Sequence, residues 1–148
     1  MALKDQILDD VKAAMRAGEK TRLVTLRMLT AAIKQLEVDS RTTAEDADTV
    51  RIVEKLVKQR REAAEQYREA RRTDLADKEL AEADILKAYL PEPLDDATLD
   101  ALIDEVIAAT GAQSPRDMGK VMNAIRAQAQ GRVDMGAVSK RVKARLAG

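Results

Sequence analysis

The segment Leu90-Pro91-Glu92-Pro93 constrains the fold more than any other stretch of this chain. Proline has no amide proton and disfavours helical geometry at the residue before it, so no helix continues through this segment. On both sides the apolar residues recur at three- and four-residue intervals, the period of amphipathic helices. Two sets of helices are therefore expected, over residues 1–92 and 93–148. Their cores must be aliphatic. Among 148 residues there is no Phe, Trp or His and only two Tyr, while 35% are charged. Strands favour aromatic and β-branched side chains. The expectation is an all-α chain with an N-terminal four-helix bundle and a C-terminal three-helix bundle.

Spacing and punctuation place the helices. The first is expected over residues 2–17, with Leu3, Ile7, Val11 and Ala14/Met15 on one face and Gly18 as its stop. The second runs over 20–38, aligning Leu23, Leu26, Leu29, Ile33 and Leu36. The third is long, 44–72. Thr42 with Glu45, or Thr43 with Asp46, offers it a capping box, and its interior KQRREAAEQYREARR reads as a solvated, ion-paired face. The fourth starts near Thr73 or Asp74 and ends at Pro91. Past the prolines, Asp95 or Asp96 caps a fifth helix that Gly111 ends, and Ser114 with Pro115 opens a sixth that ends at Gly131. The last begins near Asp134 and carries Val138, Val142 and Leu146. No internal repeat or low-complexity tract is evident.

Absent residue types exclude chemistries. Without Cys there is no disulfide, thiolate nucleophile or Cys-ligated metal, and without His there is no imidazole base or ligand. The paired or neighbouring carboxylates Asp9/Asp10, Asp95/Asp96, Glu79 and Glu82 read as caps and solvated surface, because catalytic carboxylates need desolvation or coupled charge. No Gly-rich phosphate loop is present. The expectation is a chain without a catalytic site, cofactor or metal. No apolar run approaches the roughly 20 residues of a membrane span, and the acidic opening MALKDQILDDVK is unlike a targeting segment. The expected location is the cytoplasm, with no membrane partner.

Charge supplies the functional signal. Residues 111–148 hold eight Lys/Arg and two Asp, a net of +6, and the remaining 110 residues hold 18 basic and 24 acidic side chains. A basic lobe on an acidic body suggests that one end meets an anion such as RNA phosphate. The stretch Ser114–Met122 and the stretch Gln130–Asp134 supply two helix N-termini able to receive phosphate. Gly119 sits where Ala would be more stable by about 1 kcal/mol, so close approach of either a neighbouring helix or a nucleic-acid backbone is expected there. Arg116, Lys120, Arg126 and Arg132 are expected mainly exposed, Lys120 and Arg132 on one face. Lys140, Arg141, Lys143 and Arg145 circle the last helix, so not all can serve one surface.

Several segments together resemble the YqeY family, which shares its GatB/YqeY-type helical domain with the tail of the GatB subunit of the tRNA-dependent amidotransferase. They are Arg22-Leu23-Val24-Thr25-Leu26-Arg27-Met28, the Lys-Gln-Arg-Arg-Glu helix, and Lys78-Glu79-Leu80-Ala81-Glu82 leading to Ile85–Pro91. Asp117-Met118-Gly119-Lys120-Val121-Met122 and Gly131-Arg132-Val133-Asp134 complete the set. The resemblance covers essentially the whole chain. It implies two helical bundles and, by analogy with a domain that grips the elbow of tRNA, contacts at Gly119, Lys120, Gly131 and Arg132. Arg116, Arg126, Lys140 and Lys143 would support them. The implied role is an adaptor for tRNA or tRNA-like RNA, with an aminoacyl-tRNA-related enzyme as a further partner. The amidotransferase label, a carbon–nitrogen ligase using glutamine as amido donor, describes relatives of the domain and implies no catalysis by this chain alone. A protein-interaction bundle, or an accessory part of an amidotransferase-like complex, is the alternative.

Overall fold

A computed structural model describes residues 1–147. They form seven α-helices and no strand: α1 Leu3–Ala17, α2 Lys20–Ser40, α3 Asp46–Glu69, α4 Thr73–Lys87, α5 Asp96–Thr110, α6 Met118–Ala129 and α7 Met135–Ala147. A 3₁₀ turn, Pro115–Asp117, leads into α6. The all-α expectation holds, with α1–α4 before the prolines and α5–α7 after them. The chain divides into two compact units at Leu90/Pro91, two residues before the boundary read from the prolines.

The first unit buries Ile7 from α1, Leu26, Leu29 and Ile33 from α2, Val53 and Val57 from α3, and Ala83 and Leu86 from α4. Gly18, at φ 70, ends α1 in the left-handed conformation that glycine adopts without steric penalty. The other ends in this unit differ from expectation. α2 runs on to Ser40, and Arg41 takes the left-handed cap at φ 55. α3 starts two residues late, because Glu45 forms the capping box with Asp48 in place of either threonine. It ends at Glu69, and Arg71 turns left-handed at φ 59. α4 stops at Lys87, and the amides of Tyr89 and Leu90 make tight turns back to Leu86 and Lys87 before the prolines.

Glu82 is no solvated carboxylate. It is buried in α4 beside Arg60 of α3, with Arg60 Nε 3.6 Å from Glu82 Oε2 and both side chains 12% exposed. Arg60 also places a guanidinium nitrogen 2.9 Å from the Met28 sulfur, which accepts its N–H. The Tyr89 hydroxyl donates to Asp10 at 2.5 Å, fixing the end of α4 to α1. Burial, then that bond, pushes the Tyr89 hydroxyl up to about 12.

The second unit buries Leu99, Ile103 and Val106 of α5, Val121, Ile125 and Ala129 of α6, and Val138, Val142 and Leu146 of α7. Asp95 caps α5 by accepting the Thr98 amide at 2.7 Å. α6 and α7 open with one pentapeptide pattern, Asp-Met-Gly-x-Val, at Asp117–Val121 and Asp134–Val138. A short repeat is therefore present, and its valines, Val121 and Val138, are both fully buried.

Candidate nucleic-acid interface

The polarity of charge lies within the second unit. Residues 1–90 hold 18 Lys/Arg and 18 Asp/Glu, so the first unit is neutral. Residues 91–110 hold six acids (Glu92, Asp95, Asp96, Asp100, Asp104 and Glu105) and no Lys/Arg, a net of −6. The acidic body expected from the totals is thus α5 and its approach, packed against the basic helices. This corrects the picture of a basic lobe on an acidic body.

Packing sorts the cations of α7. Arg141 donates to Asp96 at 2.7 Å and to Asp100 at 2.9 Å. Arg145 donates to the Asp100 carbonyl at 3.0 Å and pairs with Asp104. Acids at 96, 100 and 104 and arginines at 141 and 145 each repeat every four residues, so two facing helix stripes meet. The Asp96 and Asp100 carboxylates raise the Arg141 pKa above its ordinary value. Lys140 and Lys143 lie off that stripe and are exposed.

The 3₁₀ turn and the start of α6 form the next part of the surface. Arg116, Gly119, Lys120 and Arg126 are all exposed. Lys120 Nζ is 3.9 Å from Asp117, and its side chain remains 69% exposed. Arg126 donates to Asn123 one turn back at 3.3 Å. A Cβ built at Gly119 would meet no neighbouring atom within 4 Å, which removes close helix packing as the reason for this glycine.

Three expectations change. The α7 N-terminus is closed to phosphate, and the turn ahead of α6 is tied by its own capping box. Asp117 accepts the Gln113 and Ser114 amides and completes a capping box with Ser114. The Gln113 amide, then that of Ser114 and nearby Lys120, lowers the Asp117 pKa. At α7, Asp134 accepts the Gly136 amide at 3.0 Å. At α7 the chain's own carboxylate thus occupies the positive helix end, whereas Asp117, just before α6, makes no side-chain bond to the amides of α6. Arg132 is half-buried: its Nε donates to the Glu92 carbonyl at 2.8 Å, while its backbone bonds Leu94 and Ala129. Gly131 is buried with φ 80. Both shape the α6–α7 turn, and the exposed cations are Arg116, Lys120, Arg126, Lys140 and Lys143. Acids look unfavourable to an anion site, which hides the capping Asp134, although its place just ahead of Met-Gly is an N-cap signal. Among the described residues, no three carboxylates gather as metal ligands, and no helix is long and apolar enough to cross a membrane.

A protein of Pyrenophora tritici-repentis named altered inheritance of mitochondria protein 41, mitochondrial, is 29% identical over 90% of this chain and 75% of its own length. An uncharacterized protein of Schizosaccharomyces pombe is 32% identical over 61% of this chain and 70% of its own. A protein of Eremothecium gossypii bearing the same name as the first is 40% identical over 55% of this chain and 45% of its own. These names correct the cytoplasmic expectation, since the named relatives are mitochondrial. That expectation rested on an acidic first helix and the lack of an apolar span, and neither property specifies a compartment. The family described as Yqey-like protein matches residues 4–146, and the chain belongs to the YqeY family.

Proposed function

We propose that the second unit binds structured RNA of tRNA type through its exposed cations, and that the chain acts as an adaptor for that RNA. One observation carries the reading. Arg141 and Arg145 are held by the acids of α5, whereas Arg116, Lys120, Arg126, Lys140 and Lys143 remain turned to solvent. Flexible exposed cations neutralise phosphates and release counterions, which is the main source of RNA affinity. The open Gly119 lets a sugar–phosphate backbone come close to α6. The resemblance to the amidotransferase tail supports the same class of RNA. With two Tyr and no Phe or Trp, base stacking contributes little, so recognition rests on backbone and shape.

The test is filter binding of an unmodified tRNA transcript across a salt series. Lys120→Ala with Arg126→Ala should weaken binding and flatten the salt slope by roughly 0.7–0.9 for each phosphate that is no longer neutralised. Lys58→Ala with Arg61→Ala, on exposed positions of α3, should change little. Equal weakening in both pairs would show diffuse attraction, and no binding at low salt would overturn the reading.

A further inference from the structure

We infer that the solvent face of α2 is a docking surface for an acidic amphipathic helix of a protein partner. Along α2 the exposed positions Lys20, Val24, Arg27, Ala31, Lys34 and Val38 are spaced four, three, four, three and four residues apart. That is the alternation of a coiled-coil seam. It also sorts by chemistry: one register holds Val24, Ala31 and Val38, and the other holds Lys20, Arg27 and Lys34. The stripe is separate from the buried face of the same helix, which carries Thr25, Leu26, Leu29 and Ile33.

The apolar members are open to water, with Val24 at 60% and Val38 at 63% exposure, and Met28 beside them at 38%. Neither of the helix's two acids is ion-paired to a cation of the stripe. Glu37 accepts from Lys4 and the Ala44 amide, and Asp39 accepts from Gln35. Lys20 lies in the first turn, where a cation opposes the helix dipole, so local stability does not account for it.

Charge selects the occupant. A partner helix with Asp or Glu opposite the cations and apolar residues opposite Val24, Ala31 and Val38 satisfies both registers. A second copy of α2 would bring three more cations to the seam. A lipid surface favours large apolar and aromatic anchors, and this stripe offers only Val, Ala and Met. RNA would gain nothing from the exposed valines.

The test uses the full chain, isotopically labelled, titrated with a designed three-heptad helix bearing Leu and Glu at alternate seam positions. Amide shift changes should map to α2, between Lys20 and Ser40. Arg27→Glu with Lys34→Glu should weaken binding about tenfold or more, and Val24→Ser with Val38→Ser should also weaken it. Both pairs should keep the native circular dichroism and tRNA affinity. A peptide with Lys in place of Glu should not bind. Shifts confined to α6 and α7, or equal affinity in the charge-reversed variant, would overturn the inference. So would the absence of any shift, or capture of the chain by anionic phosphatidylglycerol vesicles that is abolished in the same variants.

Discussion

Arg60 carries a charge into the interior of the first unit, and its Nε, buried without a hydrogen-bond partner, depends on Glu82 for compensation. Removing one member of such a pair leaves an uncompensated charge. Glu82→Ala should therefore cost about 3–5 kcal/mol in chemical denaturation. Arg60→Met combined with Glu82→Leu should cost much less, because the desolvation penalty disappears with the pair. Gly119 offers the opposite separation of stability from binding. Its backbone is helical and a Cβ meets open space. Gly119→Ala should raise stability by roughly 0.5–1 kcal/mol while lowering tRNA affinity, read by thermal melting and filter binding together. Tyr89 gives a pH signature. Its folded-state pKa is raised, so its contribution is complete below the ordinary tyrosine value near 10 and fades as pH rises towards about 12. Tyr89→Phe should abolish that alkaline decline in stability and remove a tyrosinate step near pH 12 from the ultraviolet titration.

At the scale of elements, helix ends are legible in the sequence where glycine or proline marks them. Gly18 and Gly111 end α1 and α5 in the left-handed conformation, and Pro115 opens the turn before α6. Ends at Arg41 and Arg71 are not legible, because an arginine with positive φ carries no composition signal and the polar pattern continues past it. Glu82 escapes for a related reason: its spacing within a charged helix says nothing of the arginine that packs over it from α3. The site is legible in part. Exposure of Arg116, Lys120 and Arg126 follows from their polar positions around the buried Val121 and Ile125, whereas Arg132 looks free in the sequence because its carbonyl partner lies 40 residues earlier. The α5–α7 pairing is written in two four-residue spacings. Asp100 accepts from both Arg141 and Arg145. Asp100→Asn should loosen both arginines, lower the melting temperature, and raise tRNA affinity in the same binding assay.

On the scale of the whole molecule, each unit has its own aliphatic core, and large-to-small changes should act through the core they touch. Leu86→Ala and Ile125→Ala fall at fully buried sites in the first and second unit. Each should cost about 2–5 kcal/mol, measured by denaturant unfolding. The segregation of charge inside the second unit has a different consequence. Six excess negative charges on residues 91–110 stand beside six excess positive charges on residues 111–148. At helix spacings of about 8–10 Å such a separation amounts to a moment on the order of 200 debye. Near the isoelectric point that its sequence implies, about 6.4, the protein should hardly drift in an electric field, yet it should turn in one. Transient electric birefringence would record that torque. Approaching a polyanion, the chain should rotate its basic side forward before first touching it, raising the fraction of productive encounters without any gain in net attraction.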